Sequence, residues 1–310
     1  MRWAYGLATR FLPSHSSKFS RHDFTKPQLF ACLVLREHQK KSYRGVEALL
    51  EDCPDWRADI GLPRTPDHNT LCRTFNQLVK PGLINRMLDQ TAAWAEKRKL
   101  IRGRIKPVAL DSSMFESRHV SRHFEKRQKQ SSMDEAKRRG KRPKPAVNRR
   151  RSRVVRGLPK LSLAVATVSH VILAARATTG GGADQPHFER LLAEARGRAD
   201  VRLVVADAGY DSEANHVIAR EDMGVRSIIP PHSGRPTLKP PSSRHRRNMH
   251  WRFKRKADKI HYGQRWQSET VNSMIKRNLD SALRARTAPR RRNELLLRVI
   301  THNLMILKQE

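Results

Sequence analysis

The chain is predicted to form a mixed α/β core preceded by a small all-helical domain. Residues 23–100 carry apolar residues at helical spacing behind plausible caps such as Ser42 and Asp67. Beyond that region, short apolar runs of strand length alternate with helical stretches. A chain of 310 residues has room for one large core and a smaller module. We therefore expect a helical domain over residues 1–100 and an α/β domain over residues 101–310.

Four helices are expected in the first domain. They correspond to the runs TKPQLFACLVLREHQ, SYRGVEALLED and DHNTLCRTFNQLV, followed by a helix from about Leu83 to Lys99. The third helix follows the loop LPRTPDHN and carries Arg73, an arrangement that suits a helix-turn-helix DNA-binding domain. A plain helical bundle explains the pattern equally well, so both interpretations stand.

The second domain contains five apolar runs of strand length, PVALD, LSLAVATV, HVILAARAT, RLVVAD and RSIIP. The second and third runs predict a hairpin around Ser169, and helices are expected near residues 184–196 and 212–222. The final run, RRRNELLLRVITHNLMILKQE, predicts an amphipathic helix packed on the core. Asp111 ends the first run and Asp207 ends the fourth. Strand ends of an α/β sheet are where ligands and catalytic groups are placed.

The segment HYGQRWQSETVNSMIKR predicts an amphipathic helix with one polar side. At about 100° per residue, that side carries two cations, a carboxylate and an amide, namely Arg265, Glu269, Asn272 and Lys276. The apolar side carries Val271, Met274 and Ile275. An Arg/Glu pair four residues apart is ordinary on a helix surface, so this pattern alone does not establish a site.

Taken together, the strand-end acids and this segment resemble the DDE transposases of bacterial insertion sequences. The resemblance is to the insertion-sequence-four-like class, which is marked by a Tyr-x2-Arg-x3-Glu-x6-Lys signature. Four residues match that signature without a gap: Tyr262, Arg265, Glu269 and Lys276. A D-x-G-Y-D box (Asp207, Gly209, Tyr210 and Asp211) and a G-x-x-D turn (Gly181 and Asp184) also agree with it. The resemblance covers roughly residues 105–308.

The resemblance implies a ribonuclease-H-like catalytic core in which Asp111, Asp207 and Glu269 converge as catalytic residues and metal ligands. Two Mg²⁺ or Mn²⁺ ions are the implied cofactors, because hard divalent cations prefer carboxylate oxygens. The implied reaction is cleavage at the ends of a DNA element and strand transfer into target DNA. Asp211 is a rival for the second position. It suits a helix N-cap, however, so Asp207 is the preferred ligand.

The same resemblance implies that the other signature residues bind DNA. Arg265 and Lys276 would hold phosphates near the scissile bond, and Tyr262 would stack on an unpaired base or bond a phosphate. Trp266 flanks the polar side and could stack as well, but we expect it in the hydrophobic core.

The charge balance points to nucleic acid by an independent route. The chain has 64 Lys and Arg residues against 29 Asp and Glu residues, for a net charge of +35. Two basic insertions are expected, at residues 118–160 and 230–260. The first holds 17 Lys or Arg residues against three acids and includes Arg149, Arg150, Arg151 and Arg153. Each insertion is either a solvated loop or a DNA contact, and DNA contact is preferred.

The expected partner is double-stranded DNA, both as terminal inverted repeats and as target. A homodimer is expected because synapsis brings two ends together. No apolar run reaches the 18 residues of a membrane span, so we expect no membrane partner and a cytoplasmic, nucleoid-associated protein. Cys32, Cys53 and Cys72 lack paired spacing, so reduced thiols are expected rather than a zinc site. Two alternatives stay open: a nuclease of the same fold without strand transfer, and a catalytically inactive nucleic-acid-binding relative.

Overall fold

A computed structural model of the protein describes residues 1–17, 19, 22–101, 106–117, 158–180, 182–231 and 240–309. Within these ranges the chain forms a five-stranded mixed sheet with packed helices, which confirms the predicted α/β class. Some predictions fall outside the described residues. They concern Gly181, most of the first basic insertion with Arg149, Arg150, Arg151 and Arg153, and residues 232–239 of the second.

Six helices precede the sheet in the described part of the N-terminal region: α1 (Arg2–Thr9), α2 (Lys26–His38), α3 (Tyr43–Asp52), α4 (Pro54–Ala58), α5 (His68–Leu78) and α6 (Pro81–Lys97). The predicted caps are confirmed. Ser42 Oγ accepts a hydrogen bond from Gly45 N at 3.0 Å, and Asp67 Oδ1 accepts one from Asn69 N at 2.7 Å. The first and fourth helices were not predicted from the sequence.

The strands follow as β1 (Lys106–Met114), β2 (Glu116–Ser117), β3 (Pro159–Ala166), β4 (Ile172–Thr179), β5 (Val201–Ala206), β6 (Arg226–Ile228) and β7 (Ala282–Leu283). The main sheet has the order β4-β3-β1-β5-β6. Strand β3 pairs antiparallel with both β1 and β4, which confirms the predicted hairpin, whereas β1, β5 and β6 run parallel. Strands β2 and β7 form a separate parallel pair that the sequence did not indicate.

The remaining helices in the described part are α7 (Phe188–Arg198), α8 (Glu213–Val217), α9 (Arg244–Lys254), α10 (Lys259–Gly263), α11 (Trp266–Leu279) and α12 (Ala288–Gln309). Helix α8 continues into a π-helical turn at Ile218–Asp222. No described helix combines the length and the apolar character that crossing a bilayer requires.

Helix α9 corrects the loop interpretation of the second basic insertion. The helix forms there because it buries His245 and Met249 and because its N-terminus has a partner from another helix. The Glu213 carboxylate accepts hydrogen bonds from His245 N at 2.8 Å and from Arg246 N at 3.0 Å. A side chain outside the helix therefore satisfies two of the free N–H groups at its start.

The signature segment is not one continuous helix, as the periodicity had suggested. At the join between α10 and α11, Gln264 N donates to His261 O at 3.1 Å and Arg265 N donates to Tyr262 O at 2.9 Å. Bonds of this three-residue span tighten the turn and change the helix direction. Tyr262 therefore lies on α10, and Arg265 stands at the N-cap position of α11.

The N-terminal helices and the sheet share a hydrophobic core. One continuous cluster of buried residues includes Phe30 of α2, Leu163 of β3, Ile275 of α11 and Ile300 of α12. A second cluster covers the other face of the sheet, where Leu191 of α7 is buried. The helices that precede the sheet thus pack directly on the elements that carry the signature.

A buried network of charges crosses this core. Arg298 of α12 is fully buried and lies 3.1 Å from Glu37 of α2 and 3.0 Å from Glu294 of its own helix. It also donates to Asp280 O at 2.6 Å, just after α11. Glu294 accepts in turn from the backbone N of Arg284. Every one of these charges has an opposite charge or a backbone dipole beside it, as burial of a charge requires.

Candidate functional site

Asp111 and Asp207 stand side by side at one edge of the sheet. Strands β1 and β5 are parallel neighbours, and Leu110 pairs with Ala206 at the end of their ladder. Asp111 directly follows Leu110, and Asp207 directly follows Ala206. The two acids, 96 residues apart in sequence, are therefore neighbours just beyond the last pair of this ladder. Asp207 follows the end of β5 as expected, but Asp111 does not end its strand, because β1 continues to Met114 through its pairing with β3.

The Asp111 carboxylate lies in a partly buried position between the sheet and α11. Asn272 Nδ2 donates a hydrogen bond to Asp111 Oδ2 at 3.0 Å. Burial raises the pKa of Asp111 to about 6, with the nearby Asp207 carboxylate adding to the rise and the bond from Asn272 opposing it. The described neighbours of Asp111 therefore do not fully offset the free-energy cost of burying its negative charge.

Asp207 begins a tight turn. Its side chain accepts a hydrogen bond from Gly209 N at 2.9 Å and caps the 3₁₀ turn Ala208–Tyr210. Burial raises the pKa of Asp207, and the neighbouring Asp184 carboxylate contributes to that rise. A Cβ atom at Gly209 would lie only 3.0 Å from Asp207 Oδ1. The glycine of the D-x-G-Y-D box therefore lets the carboxylate fold back over the turn.

Asp184 is a third acid at this edge that the sequence placed only in a turn motif. Its Oδ2 lies 3.6 Å from the Cβ position at Gly209, which puts it against the Asp207 turn. Its Oδ1 lies 2.6 Å from the Nζ atom of Lys160, a buried lysine on β3. In the sequence, the G-x-x-D turn directly precedes a predicted helix. That position could have identified Asp184 as a candidate site residue.

Glu269 lies in the first turn of α11, but a cation holds it. Arg265 Nη1 is 2.6 Å from Glu269 Oε1, and the glutamate side chain is 54% exposed. Asp111, Asp207 and Glu269 do not form a group whose donor atoms all lie within 4.8 Å of one another. The structure thus brings the two aspartates together and leaves the glutamate paired with Arg265.

The four signature residues have different surroundings. The Arg265 charge acts on Asp111 and Asp207, where it lowers both pKa values against the larger effect of burial. The Tyr262 ring packs edge-on against Phe253, with ring centres 5.0 Å apart. Lys276 Nζ lies 5.2 Å from the centre of the Phe115 ring. Arg265 is therefore the cation of the signature whose charge reaches both aspartates.

Two residues of α11 differ from their predicted environments. Asn272 was placed among the polar residues of the helix but is buried, because that side of the helix faces Asp111. Trp266 was expected in the core but is 54% exposed. The helix buries Val271, Ile275 and Leu279 instead, and Trp266 precedes them at its exposed start.

Asp211 is not the helix N-cap that was predicted. Ser212 caps α8 by accepting a hydrogen bond from Asn215 N at 3.0 Å. The buried Asp211 carboxylate instead accepts from Arg246 Nε of α9 at 2.8 Å. This ion pair joins the end of the D-x-G-Y-D box to the basic helix α9.

A separate group of possible metal ligands lies in the N-terminal helices. His68 Nδ1 is 2.8 Å from Glu47 Oε2 and 3.1 Å from Asp67 Oδ2. Among the described residues, Glu47, Asp67 and His68 form the one group of three or more possible metal ligands whose donor atoms all lie within 4.8 Å of one another. It is distinct from the predicted triad. Arg73 lies on α5, the helix that also carries His68, and is exposed.

Residues 102–304 match the family model described as the transposase DDE domain. The chain belongs to this transposase family. Comparisons with curated proteins and with solved structures gave no significant match. The matched range contains Asp111, Asp207 and Glu269, and it extends from just before the sheet to the last two turns of α12. The sheet edge described above thus lies inside the transposase domain.

The donor set at this edge of the DDE transposase domain fits divalent metal ions. Asp111, Asp207 and Asp184 offer carboxylate oxygens, the donors that Mg²⁺ and Mn²⁺ prefer. Asn272 Oδ1 is buried and has no hydrogen-bond partner among the described residues. An unsatisfied buried oxygen beside a partly buried carboxylate is what a site made for a hydrated cation would present.

Proposed function

We propose that this DDE transposase cleaves DNA at the ends of an insertion element and joins those ends to target DNA. The observation that carries the proposal is the pairing of Leu110 with Ala206, which sets Asp111 and Asp207 side by side. Glu269 lies at the start of the helix that packs on the same strand. Two acids of the predicted Asp, Asp, Glu set are then together at the sheet, and the third lies on the helix packed beside them.

The sheet supports a ribonuclease-H-like assignment for the core. If its five strands are counted in chain order, they lie in the order 3-2-1-4-5, with the second strand antiparallel to its neighbours. In that topology the first and fourth strands are parallel neighbours, and Asp111 and Asp207 directly follow the last pair of their shared ladder. We further propose that residues 1–100 serve as the DNA-binding domain and residues 101–310 as the catalytic domain.

Asp111, Asp207 and Glu269 are the residues that would hold two Mg²⁺ or Mn²⁺ ions. When bound, such ions activate an oxygen nucleophile and stabilise charge on the leaving oxygen. Glu269 can join the aspartates only if its ion pair with Arg265 opens. A DNA phosphate is the natural competitor for the Arg265 guanidinium, because arginine binds phosphate and carboxylate with the same paired N–H groups.

The other signature residues would position the DNA. Arg265 and Lys276 are proposed to hold phosphates on either side of the scissile bond, and Tyr262 is proposed to contact a base or a phosphate. The basic segments, including Arg149, Arg150, Arg151 and Arg153, are proposed to follow the DNA backbone. Two copies of the chain would pair the two element ends, each marked by a terminal inverted repeat.

Cleavage and joining can be tested with the DNA that flanks the coding sequence. A labelled fragment carrying both flanks is incubated with the protein, a circular target plasmid and Mg²⁺ or Mn²⁺. The proposal predicts metal-dependent cuts that free 3′-hydroxyl ends and labelled plasmid that carries the joined fragment. The Asp111→Asn variant and a reaction in EDTA serve as controls, and neither should yield product.

The same assay separates the alternatives. Cuts without joining to the plasmid would favour a nuclease of this fold. Retention of the fragment in a gel-shift assay, with no cuts under either metal, would favour an inactive DNA-binding relative. Joining by Asp111→Asn at the rate of the parent protein would remove the proposed site altogether.

A further inference from the structure

Asn272 occupies a position that surface periodicity does not explain. It lies one turn after Glu269 on α11, yet only 6% of the residue is exposed. A buried asparagine costs free energy unless its amide is paired, because water no longer satisfies it. Its Nδ2 atom is paired with Asp111 Oδ2 at 3.0 Å, so the helix uses a buried amide to contact the acid on β1.

The other half of the same amide is unsatisfied. Asn272 Oδ1 is buried and accepts no hydrogen bond from any described residue. The pairing fixes the orientation of the group, since the donor nitrogen faces the carboxylate. A buried acceptor without a donor beside a carboxylate indicates a polar partner such as a water molecule or an ion.

The amide also restricts the Asp111 carboxylate. Asp111 pairs with Leu163 of β3, and the residue before it, Leu110, pairs with Ala206 of β5, so its backbone is fixed. The bond from Asn272 then holds one carboxylate oxygen towards α11. The Ser112 backbone N–H also acts on this carboxylate, and the remaining lone pairs of its two oxygens are left for other partners. Hydrogen bonds from neighbouring groups commonly set the direction of a ligand in this way.

We infer that Asn272 is a positioning residue that fixes the Asp111 carboxylate for divalent-cation binding. The inference rests on the proposed function, because it assumes that Asp111 is a metal ligand. Asn272 contacts Asp111 directly and acts through it. It therefore affects how tightly the cation is held rather than the chemistry of strand cleavage.

The test measures Mn²⁺ binding to the full-length protein without DNA. Binding is monitored by isothermal titration calorimetry and by the electron paramagnetic resonance signal of Mn²⁺. Asn272→Leu keeps the side-chain volume and removes the amide. Its Mn²⁺ affinity should fall by about 10- to 100-fold, the usual cost of losing a group that orients a metal ligand. Asn278→Leu, the same substitution at an exposed position of the same helix, should leave the affinity unchanged.

Two controls make the outcome decisive. An Asp111→Asn/Asp207→Asn double variant measures Mn²⁺ bound elsewhere, for example at Glu47 and His68, and this background is subtracted. Thermal unfolding in EDTA shows whether Asn272→Leu is folded. If it is not, Asn272→Ala takes its place with the same expected loss.

The inference and the proposed function fail in different ways. Parent-like Mn²⁺ affinity in a folded Asn272 variant, together with loss of binding in the double variant, would overturn the role of Asn272 alone. Parent-like binding in the double variant would overturn the metal site and, with it, the inference.

Discussion

Arg265 Nη1 lies 2.6 Å from Glu269 Oε1, so a cation one turn away holds the third acid of the predicted triad. The same guanidinium acts electrostatically on Asp111 and Asp207. Arg265 therefore occupies the position from which it can partner either the glutamate or an incoming phosphate. We therefore expect substitutions of the three acids and substitutions of Arg265 or Lys276 to affect strand cleavage in different ways.

Replacing any one of the three acids by its amide should abolish strand cleavage. Asp111→Asn, Asp207→Asn and Glu269→Gln keep the side-chain shape but remove the negative charge that holds a cation. Cleavage of end-containing DNA should fall by roughly 1,000-fold or more, because several kcal/mol of transition-state stabilisation is lost. Gel-shift assays on the same samples should show DNA binding at the level of the parent. Parent-like cleavage by one of these variants would exclude its acid from the site.

Arg265→Ala should slow cleavage without weakening the metal requirement. Without the proposed phosphate contact the scissile bond is misplaced, and a small misplacement can cost about 100-fold in rate. The Mn²⁺ concentration for half-maximal single-turnover cleavage should stay equal or fall, since the variant removes a cation that competes for Glu269. Lys276→Ala should also slow cleavage with an unchanged Mn²⁺ midpoint, because Lys276 lies over Phe115. A higher Mn²⁺ midpoint in either variant would contradict this division of roles.

Asp111 should make the metal-free protein less stable as the pH rises. Its pKa is raised from 3.8 to about 6, so between these values the folded protein binds more protons at this site than the unfolded chain. The free energy of unfolding contributed by this group is therefore highest below pH 4 and is lost as the pH passes 6.

For this reason Asp111→Asn should be more stable than the parent in EDTA at pH 7.5, by about 1 to 2 kcal/mol. Near pH 4 the two proteins should be alike. Urea unfolding at both pH values measures the difference. Equal stability at pH 7.5 would show that burial of the Asp111 charge has no free-energy cost.

Asp211 should behave as a structural acid. Asp211→Asn removes the charge of a buried carboxylate that accepts from Arg246, and it should lower the free energy of unfolding by about 1 to 3 kcal/mol. Arg246→Met should cost about 3 kcal/mol or more, since it leaves that carboxylate buried without its cation. Strand cleavage by Asp211→Asn, measured well below its melting temperature, should stay within about tenfold of the parent. Loss of cleavage together with unchanged stability would transfer the ligand role from Asp207 to Asp211.

The first basic insertion should contribute sequence-independent affinity for DNA. Replacing Arg149, Arg150, Arg151 and Arg153 with Gln should weaken binding to all DNA sequences alike. The slope of log affinity against log salt should become less steep by about 0.9 for each DNA phosphate that the variant no longer neutralises. Binding to end-containing and unrelated DNA is measured between 50 and about 200 mM salt. An unchanged slope would mean that the segment is solvated in the complex.

The strands that carry the two aspartates could be read from the sequence. Short apolar runs ending in Asp111 and Asp207 predicted two strands, because apolar run length and strand burial are directly linked. That the strands are neighbours was implied only by the family resemblance, and the extension of β1 to Met114 was not predicted, since Ser112 and Ser113 break the apolar run. The Arg265–Glu269 pair followed from helical spacing. Whether Glu269 reaches the aspartates did not follow, since spacing gives the direction of a side chain on its helix and not its distance to another element.

The residues that the sequence did not reveal are polar residues in buried positions. Pattern rules assign Asn272 and Arg298 to the surface because they are polar, but both are buried where each contacts a polar partner from a distant element. Helix α9 was missed for a related reason. Its composition is basic rather than amphipathic, and Glu213 from another part of the chain supports its first turn.

The Glu37–Arg298 pair has a consequence for how transposases of this kind can change over time. One partner lies in the N-terminal helices, and the other lies in the last helix of the chain. A hybrid that took its first hundred residues from one protein and the remainder from another would have to match these charges across the joint. A mismatch would leave an ion in the interior without its counterpart. The pair therefore favours inheritance of the two regions as a unit, with sequence drift concentrated on the outer faces of the helices.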